Sequence, residues 1–314
     1  MKKKIFITGG AGYIGTTLIP MLLELGHEVK VFDSLLFNNG DKLLPYISNG
    51  NFSFVKGDVR DEELLSKHIG DYDIVIHLAA LVGFPICREL GEDESRSVNT
   101  KGTEIVIRNM KPHQYLLFGS TGSNYGEVTT LCTEETKLNP LSIYGKTKTE
   151  AEIMVMNRDN STAFRFATAF GLSPRLRLDL LVNDLTYKSY KEGYAVIYES
   201  HFLRTFIHVK DISKSFIFAI DNQSKMKNNV YNVGSDDMNF SKKEVCELIK
   251  EKLPNTYFNY ASVGEDADKR NYKVSYDKIS SLGFYTTISI SDGISELVKS
   301  MPLIKIESNY HNVS

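Results

Sequence analysis

The sequence predicts a doubly wound α/β fold, a parallel sheet covered by helices on both faces, with a smaller C-terminal lobe. Apolar segments rich in β-branched residues alternate with segments of helical periodicity through the first half of the 314-residue chain. The predicted strands carry apolar residues on both faces, as strands of a doubly covered parallel sheet do. A glycine-rich turn joins the first strand to the first helix, which is the arrangement of the Rossmann fold.

The predicted strands and helices follow from the apolar segments and from the residues that begin or end them. Five strands are predicted at "KIFITG", "EVKVFD", "FSFVKGD", "DIVIHLAA" and "QYLLFGS". Between the first two, "YIGTTLIPMLLELG" has helical spacing and stops at Gly26. Further along, "STAFRFATAFG" predicts a sixth strand and "NVYNVG" a later one, while Ser241 is the predicted N-cap of a helix over "FSKKEVCELIKEKL".

The domain boundary is expected near residue 170. Residues 1–170 are expected to form mainly the sheet domain, and residues 171–314 mainly the smaller lobe, with some segments returning to the sheet. The polar tail from about Met301 is expected to be loosely held.

Composition narrows the class of function. The net charge of −2 provides no basic field for nucleic acid or an anionic membrane. The three cysteines, Cys87, Cys132 and Cys246, are scattered, which predicts neither a disulfide framework nor a metal site and favours a cytoplasmic protein. The short apolar run in "MKKKIFITGG" is shorter than the core of a signal peptide, and no segment has the length of a membrane span.

The turn "ITGGAGYIG" predicts a dinucleotide site. Gly9, Gly12 and Gly15 permit a tight turn in which the backbone of Tyr13 and Ile14 approaches a diphosphate at the start of a helix; a glycine turn without a ligand is the alternative.

Two acids follow that turn along the chain. Asp33 ends the second strand, where a carboxylate binds the adenosine ribose and repels a 2′-phosphate, so the sequence predicts NAD rather than NADP. In "GDVRD", Asp58 and Val59 are expected beside the adenine, with a helix cap as the alternative for the acid.

The sequence resembles the extended short-chain dehydrogenases/reductases of the nucleotide-sugar epimerase/dehydratase group. The motifs "TGGAGYIG", "GDVRD", "HLAA", "SVNTKGT", "STGSNYG", "YGKTK", "RTFIHVKD" and "YNVG" occur in the order typical of that family. The resemblance implies that Leu78, Ala79 and Ala80 of "HLAA" also contact the cofactor. It implies that Asn99 orients the active-site helix, for which a plain helix cap or turn is an equal alternative.

Tyr144 and Lys148 match the YxxxK motif of the family. On a helix this spacing places both side chains on one face, and an ammonium beside a phenol stabilises the phenolate. The resemblance implies that Tyr144 removes a proton from a sugar hydroxyl and that Lys148 also holds the nicotinamide ribose.

The third catalytic position of the family falls on Thr121, with Ser120 and Ser123 as alternatives. The 4,6-dehydratases carry an Asp-Glu pair directly after this position, whereas this chain has Gly122 and Ser123. Dehydration is therefore disfavoured.

The resemblance also implies residues for the sugar nucleotide. Arg204 and Arg270 are expected to bind its diphosphate, and Thr168 stands where relatives have Asn. Arg175 is assigned to the substrate as well, with Arg177 two positions further along the same segment.

Two other polar side chains near these segments have less specific signals. His201 is either a sugar contact or ordinary polar surface, and Asp211 is expected to cap the next helix rather than contact a ligand.

The expected function is NAD-dependent epimerisation of a UDP- or GDP-linked sugar through a 4-keto intermediate. The alternative is a 4-dehydrogenase that releases the keto sugar, since the sequence resembles a branch that oxidises C4 of GDP-heptoses. A third hypothesis is that the protein is a non-catalytic dinucleotide sensor. The family implies a homodimer formed through the helix after Ser97 and the helix over about residues 143–157.

Overall fold

The computed structural model describes residues 2–128, 130–262, 273–304 and 310–312. The strands of this part are β1 (Lys4–Thr8), β2 (Glu28–Asp33), β3 (Phe52–Lys56), β4 (Ile74–His77), β5 (Tyr115–Thr121), β6 (Leu131–Cys132), β7 (Ser161–Phe166), β8 (Thr168–Phe170), β9 (Tyr194–Tyr198), β10 (Leu203–His208), β11 (Asn229–Val233), β12 (Asn239–Ser241), β13 (Tyr257–Ala261) and β14 (Lys273–Val274). The α-helices are α1 (Tyr13–Glu24), α2 (Glu62–Ile69), α3 (Phe84–Arg96), α4 (Gly102–Asn109), α5 (Ile143–Met156), α6 (Leu181–Glu192), α7 (Val209–Asp221), α8 (Gln223–Met226), α9 (Lys242–Lys252), α10 (Asp277–Ser280) and α11 (Ile290–Ser300).

Seven parallel strands form the main sheet in the order β11-β7-β5-β4-β1-β2-β3. Alternate residues of one strand enter different apolar cores: Ile5 and Ile7 pack on one face of the sheet, and Phe6 packs on the other. The strand order reverses between β1 and β4, where ligands bind beyond the carboxyl ends of the strands. The predicted Rossmann fold is confirmed.

The predicted sixth strand is divided between two sheets. β7 pairs with β5 and β11 in the main sheet, whereas β8 pairs with β10 in a separate three-stranded sheet. Ala167, between the two strands, still donates its N–H to Val233 O. The chain thus leaves the main sheet within one residue and carries the segment after β8 across the carboxyl edge.

The smaller lobe has an apolar core of its own, formed by buried residues between Phe170 and Met301. Its helix α9 begins at Ser241, which has the predicted capping interaction: the Ser241 hydroxyl accepts from Glu244 N, and the Glu244 side chain accepts from Ser241 N. β11 returns to the main sheet from within residues 171–314.

The described residues of the tail, 301–304 and 310–312, are better held than their polar sequence predicts. Residues Met301–Leu303 form a 3-10 turn, Leu178 N donates to Tyr310 O at 2.8 Å, and the Asn312 side chain is buried. Hydrogen bonds to the loop after β8 hold the tail here, and such long-range contacts leave no periodic signal in the sequence.

Candidate functional site

The glycine turn lies at the carboxyl edge of β1 and leaves no room for side chains. Gly9 has φ +71°, and a Cβ at that position would lie 2.5 Å from Ala79 N. A Cβ on Gly15 would lie 2.3 Å from Gly10 O, so the first turn of α1 packs directly on the loop. The first N–H groups of a helix have no intrahelical partner, so this turn is suited to bind an anion.

Asp33 ends β2 next to this turn. Its two carboxylate oxygens accept hydrogen bonds from Ala11 N at 2.9 Å and Leu35 N at 2.8 Å. Burial raises the pKa of Asp33, and the two N–H groups and the charge of Arg175 oppose that rise. No arginine adjoins Asp33 in the sequence, but the fold brings the Arg175 charge close to it.

A cleft of about 610 Å³ opens at this edge of the sheet. The predicted site residues that line it are Gly9, Gly12, Tyr13, Ile14, Gly15, Asp33, Asp58, Val59, Leu78, Ala79, Ala80, Thr121, Tyr144, Lys148, Thr168 and Arg175. The strand ends and α5 therefore bring the residues predicted for catalysis and those predicted for the cofactor to one cavity.

Asp58 lines this cleft without capping a helix. Arg60 donates to both Asp58 oxygens at 2.7 and 2.9 Å, and this hydrogen bonding lowers the pKa of Asp58. The N-cap of α2 is Asp61, whose side chain accepts from Leu64 N.

Tyr144 and Lys148 lie one turn apart on α5, which begins after the N-cap Ser142. Tyr144 is half-buried at the cleft wall. Lys148 is 3% exposed, and its Nζ lies 3.9 Å from the centroid of the Phe118 ring. Burial lowers the pKa of Lys148 to about 7, against the opposing charge of Glu152. The amine can therefore change protonation near neutral pH.

Thr121 is the last residue of β5, and its hydroxyl donates to Ser123 Oγ at 3.1 Å. Ser120 also lines the cleft, but its hydroxyl donates to Glu152 Oε2 at 2.5 Å. Ser123 lies in the 3-10 turn Gly122–Tyr125 and is not part of the cleft lining. Among the three hydroxyls, this geometry favours Thr121 as the group that faces a substrate.

A buried ion pair joins α5 to β7 near the residues predicted for catalysis. Arg165 donates to both carboxylate oxygens of Glu152, and the two side chains are 6% and 3% exposed. Glu152 also accepts from Asn124 Nδ2 at 3.0 Å, so it ties α5 to the turn after β5. This network was not predicted from the sequence, although Glu152 follows Lys148 at helical spacing.

Asn99 has a positioning role in the structure. Its Oδ1 accepts from Leu81 N at 2.7 Å, and its Nδ2 donates to Leu81 O and to Thr147 Oγ1. It therefore holds the loop after β4 against α5 and does not cap a helix.

Arg175 and Arg177 line the cleft from the loop after β8. The Arg177 guanidinium pairs with Asp179 and also donates to Val82 O at 3.3 Å. Arg175 Nη2 donates to Asn312 Oδ1 at 2.7 Å, and Asn312 itself lines the cleft. The sequence contains no signal for Asn312, because its contribution depends on the folded position of the tail.

Other expected substrate residues are not part of this cleft. Arg204 lies on β10, 3% exposed, outside the cleft lining, and its Nη1 donates to Leu203 O. Arg270 lies outside the described residues. His201 is an exposed residue beside the Phe202 ring.

The expectation that Asp211 caps a helix was wrong. His208 is the N-cap of α7, while the Asp211 carboxylate accepts from the backbone N–H groups of Thr287 and Ile288 at 3.0 Å. Asp211 therefore anchors the segment before α11.

Within the described ranges, no helix is long and apolar enough to cross a membrane. Those same residues include no group of three or more His, Cys, Asp or Glu side chains arranged to hold a metal ion.

The chain matches a model of the NAD dependent epimerase/dehydratase family over residues 5–234. It is 27% identical to the UDP-glucose 4-epimerase of Corynebacterium glutamicum, over 79% of this chain and 80% of that protein. It is also 27% identical to a putative UDP-glucose 4-epimerase of Methanocaldococcus jannaschii, over 95% of this chain and 98% of that protein. The crystal structure of the UDP-glucose 4-epimerase of Thermotoga maritima with UDP-glucose matches with a TM-score of 0.84 and 24% identity, covering 96% of this chain and 99% of that one.

Proposed function

Since this chain belongs to the NAD-dependent epimerase/dehydratase family, we propose that it is a nucleotide-sugar 4-epimerase that works through a 4-keto intermediate. The observation that carries the proposal is the position of Thr121, Tyr144 and Lys148 in the same cleft as the glycine turn and Asp33. A nucleoside-diphosphate sugar, UDP- or GDP-linked, is the proposed substrate, and the similarity to UDP-glucose 4-epimerases favours UDP.

The cleft fits the cofactor. The glycine turn packs so closely on Ala79 and on itself that a Cβ at Gly9 or Gly15 would clash with backbone atoms, and Asp33 stands where the adenosine ribose is bound in this fold. The cleft would hold NAD through the glycine turn and Asp33, and the cofactor would supply reversible hydride transfer at C4 of the sugar.

The residues of the chain move and hold the proton. Tyr144 removes the proton from the C4 hydroxyl, and the positive charge of Lys148 stabilises the resulting phenolate. The Thr121 hydroxyl donates a hydrogen bond to the same substrate oxygen. When the keto group is reduced again, Tyr144 returns the proton to that oxygen.

Dehydration is disfavoured by the turn after β5. Expulsion of water from the C5–C6 bond of a sugar needs an acid and a base, and the 3-10 turn has Gly122 and Ser123 where the 4,6-dehydratases carry a carboxylate pair.

NMR of the products from a panel of UDP- and GDP-sugars, combined with the absorbance of the cofactor, tests the proposal. The expected result is an epimer at C4 with no net formation of NADH. A released 4-keto sugar with one equivalent of NADH would instead identify a 4-dehydrogenase. No turnover by a protein that binds NAD would identify a sensor.

We also propose that the protein is a homodimer formed through α4 and α5. The proposal rests on the family resemblance, and Ile153 on α5, which is 54% exposed, is an apolar side chain that such an interface would bury. Static light scattering measures the assembly, and the mass of a monomer at micromolar concentration would overturn this proposal.

A further inference from the structure

Arg175 is the most deeply buried of the arginines that line the cleft, with 2% of its surface exposed. Its Nη2 donates to Asn312 Oδ1 at 2.7 Å. Within the part of the chain that the structure describes, its Nε and Nη1 have no hydrogen-bond partner. A guanidinium has five N–H donors, and leaving them unmatched in the interior is costly unless a ligand accepts from them.

The other cations of the cleft lining are already matched. Arg60 pairs with Asp58 and Glu94, Arg177 pairs with Asp179, and the Lys148 ammonium lies against the Phe118 ring. Outside these pairs, the carboxylate of Asp33 interacts electrostatically with Arg175, but the Asp33 oxygens accept their hydrogen bonds from backbone N–H groups. Arg175 is therefore the guanidinium of the described lining that has no carboxylate hydrogen-bonded to it.

The backbone around Arg175 is attached to the helix that begins at the glycine turn. Arg175 N donates to Thr16 Oγ1 at 3.3 Å, and Ser173 Oγ donates to Tyr13 O at 2.7 Å. The guanidinium carbon lies 4.9 Å from the centroid of the Phe37 ring, just beyond β2. The side chain thus lies between the first turn of α1, which suits a diphosphate, and Asp33, which suits the adenosine ribose.

We propose that Arg175 binds the diphosphate of the dinucleotide, and that Asn312 in the tail holds its guanidinium in place. This inference rests on the proposed function, because it assumes that the cleft takes NAD. It replaces the expectation, drawn from the family resemblance, that Arg175 binds the sugar nucleotide. The planar fork of a guanidinium binds phosphate oxygens in a bidentate manner, and the glycine turn itself contains no basic residue. The Phe37 ring lies against the guanidinium, so we expect it to move aside when the diphosphate binds, while Asn312 keeps its hydrogen bond to Nη2.

Isothermal titration calorimetry with fragments of the cofactor tests the proposal in the full-length protein. The probes are NAD, ADP, adenosine, 2′-AMP and UDP. The variants are Arg175→Met and Arg175→Lys, and the control is Arg88→Met, which removes an exposed arginine outside the cleft lining. We expect Arg175→Met to weaken NAD and ADP about 10- to 100-fold, as the loss of a charge-assisted hydrogen bond does, and to leave adenosine unchanged. Arg175→Lys should recover part of this loss, because it restores the charge without the fork.

Thermal unfolding separates a binding role from a structural one. Removal of an unmatched buried charge should leave the ligand-free Arg175→Met protein at least as stable as the wild type, while the rise in melting temperature on adding NAD is reduced. A loss of UDP affinity without loss of ADP affinity would overturn the inference in favour of the sugar nucleotide. An effect limited to 2′-AMP, an equal loss for adenosine, or unchanged affinities would also overturn it while the proposed function stands. A wild-type protein that binds neither NAD nor ADP would overturn both.

Discussion

Replacement of Lys148 by Met tests whether the proposed catalytic amine is kept at the expense of stability. Lys148 is buried on α5, and burial lowers its pKa from 10.5 to about 7. The methionine side chain is of similar length and carries no charge, so the variant retains most of the apolar packing. We therefore expect Lys148→Met to be more stable than the wild type and to lose activity.

The magnitude follows from the shift in pKa. The difference of 10.5 − 7, about 3.5 pKa units at 1.36 kcal/mol each, corresponds to about 5 kcal/mol for holding the ammonium in the folded protein. Lys148→Met should therefore exceed the wild type in stability by about 5 kcal/mol where this cost is fully present.

The stability cost of burying Lys148 depends on pH in a defined direction. Below pH 7 both the folded and the unfolded chain hold the Lys148 proton, so the full cost is present. Between pH 7 and 10.5 the unfolded chain binds more protons than the folded one, so this cost declines as the pH rises and vanishes above 10.5.

Urea unfolding at pH 6.5, 8 and 9.5 measures the free energy of unfolding of the wild type, Lys148→Met and a control, Lys146→Met, which removes an exposed lysine of the same helix. The excess stability of Lys148→Met should be about 5 kcal/mol at pH 6.5 and decrease towards zero at high pH, while the control stays within about 0.5 kcal/mol of the wild type. A difference that does not change with pH would refute the reasoning.

Three further changes test other parts of the site. Gly15→Ala should abolish NAD binding in calorimetry and lower the melting temperature, because the added methyl would lie 2.3 Å from a backbone oxygen; unchanged NAD affinity would contradict the proposed cradle. Glu152→Gln should lower the free energy of unfolding in urea by about 3–5 kcal/mol, because it leaves a buried arginine without its counterion. Glu150→Gln on the same helix, which affects a partly exposed ion pair with Arg96, should cost under about 1 kcal/mol; equal effects would argue against the buried pair. Tyr144→Phe should reduce kcat on the active nucleotide sugar about 10²- to 10⁴-fold and leave NAD affinity unchanged, and retained activity would exclude Tyr144 as the base.

The local pattern of apolar and polar residues was sufficient to predict much of the fold. The alternation of apolar strands and helical segments up to about residue 120 predicted the parallel sheet, because strand burial and helix periodicity depend on neighbours in sequence. The glycine spacing and the motifs also indicated a family and a cofactor that are confirmed. Such motifs can be recognised in a sequence because each needs particular residue types over a few consecutive positions.

The site could be predicted only where its residues are local. The pair Tyr144 and Lys148 is a helical spacing, and Asp33 ends a strand, so both could be assigned from the sequence. For Asn99 the sequence leaves a cap and a positioning role equally open, and its hydrogen bonds to Leu81 and Thr147 decide for the second. Arg270 stays a prediction.

The sequence by itself determined the order of the elements, the cradle for a dinucleotide and the residue types of the proposed chemistry. The tertiary structure alone decided that the predicted sixth strand divides between two sheets, that the tail brings Asn312 to Arg175, and that Glu152 joins α5 to the turn after β5. The last two features join residues that are 137 and 28 positions apart. Contacts at such separations depend on how whole elements pack, and short-range periodicity carries no information about that packing.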